Sequence, residues 1–226
     1  MSHLPTDTKH PVFSPACLKH AEASWQPLPE SKDTAQPRFH FFHSPVLDRL
    51  FQSAPWVPYC TLGPFVLVAL IYVWGRHTWT LGLGLLTAGV LLWTLIEYAM
   101  HRFLFHFPRE RPVQKVFGLI VHGHHHLYPA DRTRLVATPL MHWSMMLLFW
   151  GLYTGLFGSY GLALWTGTGI GYLLYELLHW LAHHGPLSNT WRKRLFGHHL
   201  KHHYENPNAN FGISSPLWDI VFRTRF

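Results

Sequence analysis

The chain reads as an all-α integral membrane protein, a four-helix bundle of two helical hairpins with a small polar cap. Three observations carry that reading. Four stretches are apolar over the length that a bilayer core demands, the basic residues fall almost wholly on one side of them, and histidines gather at the ends of the second and fourth. The 226 residues, 48% hydrophobic and 13% charged, suit one such unit. Two cysteines, Cys17 and Cys60, exclude a disulfide framework and the cysteine-rich zinc modules. Eleven tryptophans with little charge exclude a disordered chain.

Residues 1–43 are rich in Pro, Ser, His and Lys without periodicity, and an irregular cytosolic tail is expected there. They lack the apolar core of a secretory signal peptide. Residues 44–226 make up the membrane unit. Its first piece, Ser44–Trp56, places Val46, Leu47, Leu50 and Phe51 on one helical face, as a short helix lying on a membrane surface does. The spans are expected at Val57–Trp74, Trp79–Tyr98, Val136–Phe157 and Tyr160–Trp180, each close to the ~20 residues that cross a hydrocarbon core. Only Gly75–Thr78 separates the first two and only Gly158–Ser159 the last two, so each pair folds back as a hairpin. Tyr59, Trp74, Trp79, Tyr160 and Trp180 mark the ends, where amphipathic rings favour the interface. Core helices of a soluble protein are the competing reading. Those normally carry a polar stripe, and these stretches have almost none. Residues 99–135 and 181–226 remain for the cap.

Of 18 Lys and Arg, five precede Val57, six lie between Arg102 and Arg134, and six follow Trp180; Arg76 alone sits in a short turn. The positive-inside rule makes the crowded side cytoplasmic, with both termini on it. This asymmetry accounts for the net charge of +7, so no nucleic-acid partner is needed to explain a basic chain.

Twenty histidines dominate the composition. Outward from the second span come His101 and His106 (HxxxxH), then His122, His125 and His126 (HxxHH). From the fourth come His179 and His183 (HxxxH), then His199, His202 and His203 (HxxHH). All four clusters fall on the cytoplasmic side. Helical residues four apart differ by about 40° and three apart by about 60°, so HxxxH and HxxHH each present a ligand face. His101 and His106, about 140° apart on an α-helix, reach toward two different ions. Ten imidazoles exceed what one first-row metal accepts and fit two ions with about five each. Val113, Val116, Phe117, Ile120 and Val121 form an apolar stripe opposite His122, His125 and His126, although Gly123 is placed to break that helix. A single pair at such spacing is as often a surface or core feature, and the joint pattern is what points to metal. His124, His184 and His198 are spare members of the runs. His40 and His43 read as interfacial, while His77 and His142 lie out of reach. Glu97 and Glu176 precede His101 and His179 by four and three residues and are candidates to accept the far ring N–H of a ligand; an interfacial ion pair is the plainer alternative. Asp131 and Tyr204 are further candidates for such support. No cysteine lies near a cluster, which excludes a thiolate site.

In that order, His101–His106, His122–His126, His179–His183 and His199–His203 resemble the membrane fatty acid hydroxylase and sterol desaturase superfamily. The run from His122 through Asp131 to Arg134, and that from Lys201 through Phe211 to Trp218 and Asp219, resemble segments typical of fatty acid 2-hydroxylases. The resemblance covers about Glu97 to Phe222. It implies four transmembrane helices under a cytosolic helical cap, a dimetal centre held by the ten histidines, and hydroxylation at C2 of a long-chain acyl group, free or in a sphingolipid, with O2 and two electrons. It implies di-iron for activity, with zinc able to occupy the same positions in purified protein. Many relatives begin with a cytochrome b5 domain carrying His-Pro-Gly-Gly. Here His10-Pro11 is followed by Val12-Phe13, so no haem is expected on this chain, and a separate cytochrome b5 or ferredoxin is the expected electron donor. Such an acidic donor suits the basic face. Arg132, Arg134, Lys201 and Tyr204 are candidates to orient the lipid head, interfacial anchoring being their plainer role. The endoplasmic reticulum and the bacterial inner membrane both suit the chain. A sterol or carotenoid oxidase shares the ligands, and a histidine-rich metal transporter shares the composition. Transport, however, wants polar ligands at mid-membrane, which these spans lack.

Overall fold

A computed structural model describes residues 10–22, 40–185 and 190–226. Among these residues the regular structure is helical, with one isolated antiparallel bridge between Phe13 and Phe42. The helices are α1 (Pro15–Ala21), α2 (Pro45–Leu50), α3 (Val57–Thr61), α4 (Gly63–Arg76), α5 (Trp79–Ala99), α6 (Pro112–Gly118), α7 (His124–Leu127), α8 (Pro139–Phe157), α9 (Ser159–His184), α10 (Thr190–Tyr204) and α11 (Leu217–Val221). Two π-helical turns extend them: Met100–Phe105 continues α5, and Leu119–Gly123 joins α6 to α7.

The first apolar stretch is a broken helix rather than one span. Pro58 and Pro64 each sit in a first turn, where a missing N–H is harmless, and the helix is interrupted between them at the fully buried Leu62. Two helices, Trp79–Phe105 with its π turn and Pro139–Phe157, are long and apolar enough to cross a membrane. Only 22% and 17% of their most apolar windows are buried inside the protein, so Leu81, Leu91, Leu147, Leu148 and Leu156 face outward. Exposed apolar faces of this kind suit hydrocarbon rather than water.

The 26-residue α9 is the centre of the bundle and packs on α4, α5 and α8. It buries small and polar residues, among them Thr166, Thr168, Tyr172 and Glu176. Gly89 and Gly167 let α5 and α9 meet backbone to backbone. A Cβ on Gly89 would lie 2.3 Å from the Leu164 carbonyl oxygen, and one on Gly167 2.2 Å from that of Leu86. The Trp165 indole N–H donates to the Met146 carbonyl (2.7 Å) and ties α9 to α8. The two short turns lie at one end, where His77 packs on Tyr160 with ring centroids 5.5 Å apart.

The described parts of the segment expected to be irregular are ordered. Ser14 caps α1, whose Cys17, Leu18 and Ala21 join Phe41, Val116, Leu119 and Leu127 in a buried cluster. A seven-residue helix has too little local periodicity to be read from sequence; its burial by distant residues holds it. Residues 1–9 and 23–39 of that segment lie outside the described residues. In place of the expected Ser44–Trp56 helix, α2 covers Pro45–Leu50, with Val46 and Leu50 exposed.

Candidate metal centre

The π turn after α5 decides where the first pair of histidines goes. The His106 N–H donates to the His101 carbonyl (3.1 Å), an i to i+5 bond that stacks the two residues one above the other. They therefore do not reach toward different ions, as α-helical geometry implied, and their rings lie 5.0 Å apart. The chain also stays helical through Gly123, because the second π turn leads straight into α7.

Among the described residues, the ten expected histidines gather into two groups of five. His101, His106, His122, His126 and His202 form the first; His125, His179, His183, His199 and His203 form the second. The ligating nitrogens of each lie within 4.8 Å of one another. Each HxxHH is split. His122 and His126, one helical turn apart, serve the first group while His125 serves the second; His199 and His203 serve the second while His202 serves the first. Neighbours on a helix point about 100° apart, which sends them to opposite sides of the seam. The groups abut, with the His126 ring stacked on that of His203 at 4.2 Å.

The nitrogens fit a cation. His101 donates Nδ1–H to the Phe211 carbonyl (2.5 Å) and His202 to that of Ala209 (2.6 Å), so in the neutral rings each Nε2 is a bare lone pair. The His202 Nε2 nonetheless faces Nε2 of His106 at 3.0 Å and of His126 at 3.2 Å, and the His101 Nε2 faces that of His122 at 3.0 Å. In the second group, Nε2 atoms of His179 and His125, and of His183 and His199, are 2.9 Å apart. Ligands about 2.1 Å from one ion and at right angles stand about 3 Å from each other. Burial, reinforced by the neighbouring imidazoles, holds His122, His125, His126, His199, His202 and His203 well below the usual histidine range, His183 at about 3 and His106 at about 2. Neutral imidazole is the form that binds metal. An all-imidazole donor set suits iron and zinc alike.

The supporting residues differ from expectation. Glu97 faces no ligand ring: it accepts the N–H groups of Ile213 (2.5 Å) and Ser214 (2.8 Å) and the Ser214 hydroxyl. Glu176 accepts from the Tyr172 hydroxyl (2.6 Å) and the Ala137 N–H (3.1 Å). One turn of spacing put each carboxylate on the histidine's helix, but Glu97 turns to amides of a distant loop and Glu176 to a hydroxyl of its own helix and the Ala137 amide. Asp131 holds the spare His124 at 2.8 Å, and Tyr204 is half exposed beside His203. Spare His198 lies 3.0 Å from Asp219, and His184 packs on Trp180. Asp219 and the carbonyls of Ala209 and Phe211 were not singled out from sequence; the quoted Lys201–Asp219 segment carries all three, but only a folded loop aims them.

A cavity of about 280 Å³ borders both groups, reaching His101 and His122 of the first and His125 and His179 of the second. Its other walls are mostly apolar, including Trp93, Leu104, Phe117, Met141 and Met145, with Glu97, Arg134, Thr138, His142 and Glu176 among the polar points. His142 stays outside the groups, 2.9 Å from the Thr61 hydroxyl. Arg134 is ion-paired with the buried Asp48 at 2.7 Å. Arg132, over the Trp180 ring, and Lys201, over that of Phe226, are on the surface and do not line the cavity.

A family model described as fatty acid hydroxylase matches residues 86–224. The chain is 33% identical over 202 residues to ceramide very long chain fatty acid hydroxylase scs7 of Schizosaccharomyces pombe, covering 83% of this chain and 54% of that protein. It is 37% identical over 147 residues to fatty acid 2-hydroxylase of Rattus norvegicus, covering 63% of this chain and 39% of the relative. The chain thus spans about half or less of these relatives' length. A solved structure titled full length scs7p, with only the hydroxylase domain visible, matches with a TM-score of 0.78 at 29% identity, over 92% of this chain and 82% of that one. On the match across residues 86–224, more than half of its length, the chain belongs to the fatty acid hydroxylase family.

Proposed function

We propose that the protein is a membrane-bound dimetal monooxygenase that hydroxylates C2 of long-chain fatty acyl groups, free or in a sphingolipid. One observation carries the reading: a largely apolar cavity has histidines of both groups in its wall, so a chain lying in it passes both. The names of the relatives, fatty acid 2-hydroxylase and ceramide very long chain fatty acid hydroxylase, support the same substrate class.

The ten histidines would hold two metal ions, five ligands each, with iron the expected active metal. The metals, when bound, supply the oxidation of an unactivated C–H bond, which no side chain can perform. One oxygen atom of O2 enters the C2–H bond and the other leaves as water, with two electrons and two protons consumed; a separate cytochrome b5 or ferredoxin type of donor supplies the electrons. The chain's own residues do the rest. Trp93, Met141, Met145 and Leu104 take up the alkyl chain and keep water from the ions. Arg134, Thr138, His142 and Glu176 are the polar points available to the lipid head. Burial keeps the imidazoles neutral and ready to bind metal.

The reading extends to topology. Residues 44–226 form the hydroxylase unit, with four spans, the histidine clusters and both termini on the cytoplasmic side, in the endoplasmic reticulum or a bacterial inner membrane.

The test of function is fatty-acid mass spectrometry after expression in a host that makes no 2-hydroxy acids, with a reductase system supplied. Wild type is expected to yield 2-hydroxy chains, and His125→Ala and His202→Ala none. Absence of product from folded wild type carrying two metal ions would overturn the assigned reaction.

A further inference from the structure

The loop from Ala209 to Ser214, between α10 and α11, serves one metal group and not the other. Its Ala209 and Phe211 carbonyls take the Nδ1–H of His202 and His101, both of the first group. Among the described residues, no protein acceptor faces the buried Nδ1 of His125, His179, His199 or His203, all of the second group.

The loop does not hold this shape by itself. Asn210 sits at φ 57°, in the left-handed region that L residues disfavour. Gly212 is packed so closely that a Cβ there would lie 2.1 Å from the Ser215 carbonyl oxygen. Two buried carboxylates, 4% and 0% exposed, hold it from either side. Glu97 on α5 gathers the Ile213 and Ser214 amides and the Ser214 hydroxyl. Asp219 on α11 gathers the N–H groups of Phe211 (2.9 Å) and Gly212 (2.7 Å), the Thr224 hydroxyl (2.7 Å) and the His198 ring (3.0 Å). Buried acceptors cannot exchange such hydrogen bonds for water, so the loop is held wherever the two side chains hold it.

We infer that Glu97 and Asp219 are positioning residues for the first metal group: by clamping this loop they fix the two carbonyls that orient His101 and His202, and so set the metal affinity of that group alone. The inference rests on the reading that both groups hold metal. It also gives the spare His198 a role, as one of the donors that hold Asp219.

Cobalt(II), titrated into metal-stripped full-length protein in detergent and followed by its visible absorption, tests this. Two backgrounds separate the groups: His179→Ala leaves the first intact, and His101→Ala leaves the second. Asp219→Asn, whose amide N–H groups would oppose those of Gly212 or His198, and Glu97→Ala are expected to weaken cobalt binding about 10- to 100-fold in the His179→Ala background. In the His101→Ala background binding is expected to stay unchanged, which also reports that each variant folds. Glu97→Gln, which keeps an oxygen for the two amides, is expected to restore most of the affinity. Should the stronger variants not fold, Ser214→Ala and Thr224→Val each remove one donor from a clamp and are expected to weaken the first group by a smaller factor. Equal weakening in both backgrounds, or none in either, overturns the inference. Wild type that binds no cobalt would instead sink the metal reading beneath it.

Discussion

His125 and His126 are adjacent, both buried, and belong to different groups. Their neighbours decide the division: His179 and His183 on α9 meet one ring, His122 and His202 the other. Packing so many imidazoles together has an electrostatic cost that depends on pH. In the folded chain burial holds these rings neutral well below the usual histidine range, whereas in the unfolded chain they titrate near pH 6.5. Below that pH the unfolded state takes up protons that the folded state refuses, so stability is full above about pH 6.5 and falls as acid is added. Each such group contributes a slope approaching about 1.4 kcal/mol per pH unit. Melting of the metal-stripped protein is therefore expected to shift to lower temperature as pH drops below about 6.5, and metal to raise the whole curve. A melting temperature independent of pH in that interval would contradict the neutral-ring account.

At the scale of elements, two local features carry the geometry. The π turn at Met100–Phe105 converts a five-residue spacing from opposed to stacked, and bulges of this type often mark functional sites. The glycine contact between α5 and α9 fixes the distance between the helices that carry His101 and His179. Gly167→Ala is expected to be destabilising by about 1–3 kcal/mol, because the obstructing atom is a backbone oxygen and the helices must separate. On the facing helix α5, Gly84→Ala meets nothing within 4 Å and is expected to be neutral or slightly stabilising, as alanine is the better helix former. Thermal unfolding in detergent of the two variants checks the contrast; equal effects would mean that the close approach does not govern stability.

For the whole molecule, the distribution of charge and the shared end of the two turns make one prediction about placement. With Cys17 and Cys60 replaced by alanine, Ser159→Cys and Lys201→Cys, both at exposed positions, are expected to react with a membrane-impermeant maleimide from opposite sides of sealed vesicles. Labelling from the same side would refute the two-hairpin topology. The outward apolar faces of α5 and α8 are the complement of that charge pattern: they leave little for the bundle interior, and α9 supplies it with Gly161, Ala163, Thr166 and Thr168.

Sequence alone determined the helical class, two of the expected apolar lengths and the ten histidines that gather, because hydrophobic runs and ligand types are properties of residues and their spacing. It misread the segment around α1 and the partners of Glu97, which depend on residues far away in the chain, whereas the break in the first span comes from Pro58 and Pro64 within it and the nearest partner of Glu176 is Tyr172, one turn away on α9. Tertiary structure decided which histidine joins which group, through the packing of α7, α9 and α10 against one another and, for His101 and His106, through a π turn that spacing rules do not contain. It also decided which acceptors orient His101 and His202. Those are backbone carbonyls, the same atoms in every residue, and only a folded loop held by Glu97 and Asp219 aims them at an imidazole.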